Sequence, residues 1–294
     1  MGLRREMGSR KIPASLASLA AVFGASEALA DQPRPWQLGF QAPATVGMER
    51  INDFHNILLV VITIITVLVL ALLIYVIVRF NERAHPNPSK LTHNTFIEVA
   101  WTAVPALTLF LIAVPSLKLL YFVADVPKAD LTVKVTGHTW NWSYEYPDNG
   151  DISFDSYVVD DKHLKPGQPR LLTVDNYMEV PVGVTVRVQI TSADVIHSWS
   201  VPSFGVKTDA VPGRLNETWF KIEQPGTYYG ECSQLCGNGH GYMPIMVHAV
   251  SQDEFNKWVD LVKKHPDQAW PAVTETTADA GAATATQVAS APAN

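Results

Sequence analysis

The sequence predicts a two-helix transmembrane hairpin followed by an all-β domain, and three observations carry that expectation. Two long apolar runs lie close together, from Ile57 to Val78 and from Ile97 to Tyr121. From Leu131 onward the pattern changes to short segments in which apolar and polar residues alternate, the period of a half-buried strand. Finally, 47% of the 294 residues are hydrophobic and the mean hydropathy is +0.07, high for a water-soluble chain. That length leaves room for more than one structural unit. With a formal net charge of −6, no nucleic-acid partner is expected.

Residues 1–30 read as a cleavable signal peptide. Arg4, Arg5, Arg10 and Lys11 form a basic leader, Ile12 to Phe23 a mostly apolar core, and Ala28-Leu29-Ala30 a small-residue ending. Residues 31–122 hold an N-terminal segment and the hairpin, with helices expected at about 55–79 and 96–121. The run from Ile57 to Val78 carries no charge and, at ~1.5 Å per residue, crosses a hydrocarbon layer of ~30 Å. The second run holds Pro105 and Pro115, which membrane helices tolerate when neighbouring groups satisfy the freed carbonyls. Between the runs stand Arg79, Arg83 and Lys90 against Glu82, so the connection is expected on the cytoplasmic side. Everything after the hairpin then lies outside the cytoplasm, the topology that an export signal also requires. Glu98 sits at the start of the second run, where a helix dipole favours a carboxylate.

Residues 123–266 are expected to form the β domain. Strand patterns occur at Leu131 to Val135, Val184 to Ile190, Glu217 to Ile222, Gly226 to Gly230 and Pro244 to Val250, with turns at Pro147 to Gly150 and at Pro212-Gly213. Ser251-Gln252-Asp253-Glu254 has the form of a capping box, followed by Phe255, Trp258, Val259 and Val262 at helical spacing. A short amphipathic helix should therefore close the domain near His265. Residues 267–294 are expected to be a disordered tail, since beyond Val273 the chain is mostly Ala, Thr and Ser with no aromatic residue.

The densest chemistry lies between Glu231 and Pro244. Cys232, Cys236, His240 and Met243 bring two thiols, an imidazole and a thioether into one short loop, a donor set that suits copper. Two other readings stay open on the residues alone. Cys232 and Cys236 are the only cysteines and could form a disulfide in an exported chain. Thiolates and imidazoles also suit structural zinc, although zinc seldom recruits a thioether. A disulfide gives no reason for His240 and Met243 to follow, nor for Gly237, Gly239 and Gly241. A further imidazole is available from His197, directly after the strand pattern that ends at Ile190.

This loop, with the run Asp194 to Trp199, the run Val206 to Arg214 and the aromatic run Gly137 to Tyr146, resembles subunit II of haem–copper cytochrome c oxidase. The likeness extends from about residue 50 to about residue 265. It implies a cupredoxin-like Greek-key barrel and a dinuclear copper centre, CuA. In it Cys232 and Cys236 would bridge two coppers, with His197, His240, Met243 and the backbone carbonyl of Gln234 as the remaining ligands. It implies cytochrome c as electron donor, with Trp140 as the entry point, and oxidase subunit I and other oxidase subunits as partners in a bacterial inner membrane, the β domain facing the periplasm.

The resemblance also implies roles outside the loop. Glu98 would lie at the mouth of a proton-conducting path into subunit I, a reading its place at a helix start neither supports nor opposes. Glu145, Asp148, Asp151, Asp175 and Asp194 would dock cytochrome c. The stretch Thr139 to Asp161 carries acidic residues and no Lys or Arg, which is equally the pattern of a solvated face. One departure stands out: the family has Gln before the first cysteine and Glu between the two, whereas here Glu231 and Gln234 are exchanged. The backbone ligand survives that exchange. Magnesium shared with subunit I would lose a carboxylate, because an amide is a neutral and weaker ligand for so hard a cation.

Overall fold

The structure, a computed structural model, describes residues 32–87 and 89–271. The expected signal peptide and residues 272–294 of the expected tail lie outside the described residues.

Helix α1 runs Val46–Arg79 and helix α2 Thr95–Ala124. Both are long and apolar enough to cross a membrane, and their apolar side chains are exposed along the hairpin. α1 starts well before the expected boundary near 55. The apolar run marks only where lipid begins, whereas the helix begins where Thr45 caps it by accepting a hydrogen bond from the Met48 N–H. Asn94 caps α2 in the same way through the Ile97 N–H, and the helix passes through Pro105 and Pro115 unbroken.

The first turns of α1 are packed onto the β domain. Thr45 Oγ1 donates to the Phe204 carbonyl at 2.8 Å, and Met48 is buried. Gly205, at φ 69°, lies against the same turns; a Cβ there would meet the Met48 backbone at 3.1 Å.

The β domain is a sandwich of two five-stranded sheets, a cupredoxin-like half-barrel. The first sheet has the order β3-β2-β1-β5-β8, built from Ile152–Ser156, Asn141–Tyr146, Leu131–His138, Val186–Ser192 and Asn216–Phe220. The second has the order β4-β10-β9-β6-β7, from Met178–Pro181, Pro244–Val250, Gly226–Cys232, His197–Val201 and Val206–Ala210. Each sheet contains one parallel pair, β1 with β5 and β4 with β10, so the chain must cross between the sheets rather than meander.

Alternation along β1 and β5 puts Leu131, Val133, Val135, Val186, Val188 and Ile190 into the space between the sheets. β6 is buried at every position, as a central strand covered on both faces is. Trp142, Tyr144, Tyr146, Trp199 and Phe220 fill the interior, and Trp142 and Tyr144 are therefore packing residues.

Helix α3, Gln252–Lys264, closes the domain with the complete capping box of Ser251 and Glu254, and buries Phe255, Trp258 and Val259. Residues 267–271, expected at the start of the tail, lie against the domain. Ala269 is buried, Trp270 Nε1 donates to the Tyr177 carbonyl at 2.9 Å, and the Trp270 ring packs tilted against Phe154, centroids 4.6 Å apart. One aromatic and one small residue, too few to show as a periodic pattern, hold residues 266–271 on the domain.

Candidate metal centre

Three strand ends converge at one edge of the second sheet. β6 begins at His197 and pairs with β9 so that Trp199 faces Cys232. β9 ends at Cys232, β10 begins at Pro244, and Glu231 pairs with Pro244. Residues 233–243 are thus the connection of a β9–β10 hairpin, and the strand register fixes both of its ends.

The thiols of Cys232 and Cys236 are free and buried, with their sulfurs 3.9 Å apart. Cys232 Sγ lies 4.0 Å from His197 Nδ1 and 3.4 Å from the Gln234 carbonyl oxygen. Cys236 Sγ lies 3.5 Å from His240 Nδ1 and 3.5 Å from Met243 Sδ. His197, Cys232 and Cys236 alone place their ligand atoms within 4.8 Å of one another. The Gln234 carbonyl lies against Cys232, and His240 and Met243 lie against Cys236, so each of the other three expected donors touches one of the two thiols. His197 is fully buried and Met243 2% exposed, while His240 is half-buried.

The donor set fits a soft cation. Burial, then the neighbouring Cys232, pushes the Cys236 thiol up to about 12, a shift that a bound cation would oppose by favouring the thiolate. Two thiols, a thioether and two imidazoles suit copper better than a hard cation.

The surroundings hold these donors in place. Asp194 Oδ1 accepts from His197 Nε2 at 2.8 Å, which leaves Nδ1 facing the sulfurs. Asp194 Oδ1 also accepts from the Val195 N–H, and Oδ2 accepts from the Thr139 N–H and hydroxyl at 2.7 and 2.8 Å. Partial burial on its own would raise the Asp194 carboxyl; the hydrogen bonds outweigh it and hold the group well below the usual carboxylate range.

Trp142 Nε1 donates to the Met243 carbonyl at 3.2 Å. Gly137 leaves room for the His197 ring, since a Cβ there would lie 2.8 Å from His197 Cδ2. The i, i+3 spacing of Asp194 and His197 is the signal that could have marked Asp194 as a positioning group rather than a docking one.

Trp140 occupies the tip of the β1–β2 turn and is 38% exposed. Its Nε1 donates to the Cys236 carbonyl at 3.2 Å, and its ring lies on Gly237 and Gly239 of the ligand loop. The exposed aromatic thus touches the loop that carries the thiols.

The acidic residues are largely engaged within the fold. Glu145 pairs with Lys134 at 2.9 Å, Asp148 accepts from the Thr132 N–H, and Asp175 from the Tyr157 and Asn176 N–H groups. Asp151 is exposed, at φ 54°. Glu98 lies in the first turn of α2, at the end of the hairpin away from the β domain. The Gln234 residue is exposed, its carbonyl turned to Cys232.

Known proteins resemble the chain over both parts. The family model for the cytochrome c oxidase subunit II periplasmic domain matches residues 131–250, and that for the transmembrane domain matches residues 33–119. A probable cytochrome c oxidase subunit 2 of Rickettsia bellii is 49% identical over 82% of this chain and 90% of its own. The cytochrome c oxidase subunit 2 of Cyanidium caldarium is 46% identical over 79% of this chain and 92% of its own. Among solved structures, the periplasmic domain of subunit II of cytochrome oxidase of Bradyrhizobium japonicum is 58% identical. It covers 48% of this chain and 98% of its own, with a TM-score of 0.45.

Proposed function

The chain belongs to the cytochrome c oxidase subunit II family, a component of haem–copper terminal oxidases, and from that membership we propose that it carries electrons from cytochrome c to haem in subunit I. There oxygen is reduced to water with coupled proton translocation. The observation that carries the proposal is the cluster of His197, Cys232 and Cys236, with the Gln234 carbonyl against Cys232 and His240 and Met243 against Cys236. These residues would hold a dinuclear CuA centre. Such a centre supplies one-electron chemistry with the charge shared over two metals.

The remaining work is done by the chain. Asp194 fixes the tautomer and orientation of His197, and burial of the thiols keeps water from them. Trp140, exposed on one side and hydrogen-bonded to Cys236 on the other, is the entry point from the donor's surface. The acidic face draws a basic cytochrome in; Asp151 serves it directly, while Glu145, Asp148 and Asp175 contribute charge from fixed positions and Asp194 acts chiefly on His197. Glu98 marks the entrance of a proton path at the cytoplasmic end of α2. At Gln234 this subunit offers magnesium only an amide.

The assignment of regions follows the same reading. Residues 1–30 are a signal peptide, the hairpin sits in a bacterial inner membrane beside subunit I, the β domain lies in the periplasm, and the remainder is a tail.

The test is metal analysis and electron paramagnetic resonance of the purified oxidase. Two coppers in this chain, with the hyperfine pattern of one electron shared equally by two copper nuclei, is the expected result. A mononuclear signal, zinc, or a Cys232–Cys236 disulfide would overturn it.

A further inference from the structure

A cavity of about 240 Å³ lies where the hairpin joins the β domain, away from the thiols. Its walls come from the start of α1 (Thr45, Val46), the end of α2 (Phe122, Val123) and β8 (Trp219, Phe220). The walls are largely aromatic, with Phe122 edge-to-face on Trp219 at 5.4 Å. The indole Nε1 of Trp219 is buried and has no hydrogen-bond partner among the described residues. A buried donor without an acceptor costs free energy, so an oxygen from outside the chain is expected to meet it. Lys221 and Glu223 complete the lining with opposite charges and no ion-pair partner among the described residues. Arg50 adds a further cation, 3.7 Å over the Phe122 ring.

The level of the cavity identifies what can reach it. Phe122 and Val123 in its wall directly follow Tyr121, where the apolar run of α2 ends. That is the height of the lipid headgroups, which add several Å to each side of a hydrocarbon layer ~30 Å thick. The occupant must therefore supply, at headgroup height, an anionic oxygen for an indole N–H and a lysine, and a cation for aromatic faces and a glutamate. We propose that the cavity binds the headgroup of a zwitterionic glycerophospholipid from the leaflet facing the β domain. Its phosphate meets Trp219 Nε1 and Lys221, and its ammonium meets the aromatic walls and Glu223. An anionic headgroup would satisfy the first pair and leave the second without a partner. The lipid would tie the hairpin to the β domain, and nothing in the proposal depends on which metal the thiols hold.

The test uses the whole purified complex, washed free of endogenous lipid in detergent. It is titrated with dioctanoyl phosphatidylcholine or dioctanoyl phosphatidylglycerol, with native mass spectrometry and Tm as readouts. The expected result is saturable binding of one phosphatidylcholine per copy of this chain with a rise in Tm, and weaker binding of phosphatidylglycerol. Trp219→Phe keeps the ring and removes the N–H; combined with Lys221→Gln it should weaken phosphatidylcholine binding by about tenfold or more. Circular dichroism of the double variant checks that it is folded. Equal binding of the two lipids, or unchanged binding by the folded variant, overturns the proposal. Loss of partner subunits from the variant with lipid binding unchanged would assign the cavity to a protein contact instead.

Discussion

Replacing Asp194 by Asn keeps the shape of the side chain and removes half of its acceptor capacity. In the wild-type chain five donors point at the carboxylate: His197 Nε2, the Val195 N–H and the Ser192 hydroxyl at Oδ1, and the Thr139 N–H and hydroxyl at Oδ2. An amide offers one oxygen and one NH2. With the oxygen kept towards His197, the NH2 faces the Thr139 N–H and that bond is lost; with the amide flipped, His197 loses its partner. Either way at least one charge-assisted hydrogen bond disappears, worth about 1.5–3 kcal/mol. Loss of a group that orients a metal-bound histidine lowers metal affinity by about 10–100-fold, or ~1.4–2.7 kcal/mol, which agrees with the bond count. The assay is chelator competition on the purified oxidase, following retained copper against chelator concentration, with Tm as the check on folding. A folded Asp194→Asn variant that holds copper within about threefold of wild type would refute the assignment of Asp194 as the group that orients His197.

Gly137→Ala would place a methyl 2.8 Å from His197 Cδ2 and 3.1 Å from the Trp142 ring. Overpacking of this kind costs about 1–3 kcal/mol, and displacement of the imidazole should appear as altered copper hyperfine couplings in electron paramagnetic resonance. Trp140→Phe removes the hydrogen bond to the Cys236 carbonyl while keeping an aromatic ring. Its expected signature is slower oxidation of cytochrome c with copper content unchanged, measured by stopped-flow. Ser251→Ala removes the cap of α3 and should cost about 1 kcal/mol in chemical denaturation. Hydrogen bonds from Ser251 hold the Glu254 carboxyl below its ordinary value. Because the folded-state value is depressed, this stabilisation is present above the ordinary glutamate range and lost as pH falls through the depressed value. The alanine variant should therefore lose less stability on acidification than wild type, and equal losses would contradict the role of the cap.

The sequence carried the hairpin and the donor set because both are local. An uncharged run long enough to cross lipid, and four soft donors in one loop, can be recognised without knowing what packs against them. The helix starts were less legible. Thr45 caps α1 through contacts with Phe204, which is distant in sequence, so nothing in the run before Ile57 announced an earlier beginning. Residues 266–271 were hidden for the same reason, since Ala269 and Trp270 are held by strand residues that the chain reaches only after folding. For the acidic residues expected to dock a partner, sign and spacing were legible but their engagement was not. Lys134, the Thr132 N–H and the Tyr157 N–H that engage them come from neighbouring strands and a neighbouring loop.

Asp194 also links Trp140 to the cysteine loop. The carboxylate reaches His197 through one oxygen and the turn residue Thr139 through the other, and Trp140 follows Thr139 directly. On the other side, Trp140 donates to Cys236, and Cys236 faces Cys232, beside which His197 lies. The path from turn to imidazole to thiol and back to the indole therefore closes into a ring whose links are hydrogen bonds, covalent steps and packed donors. Strand register and the Asp194 carboxylate fix the members of this ring relative to one another. A site held so firmly would need little rearrangement when its charge changes, the condition that the proposed electron transfer sets.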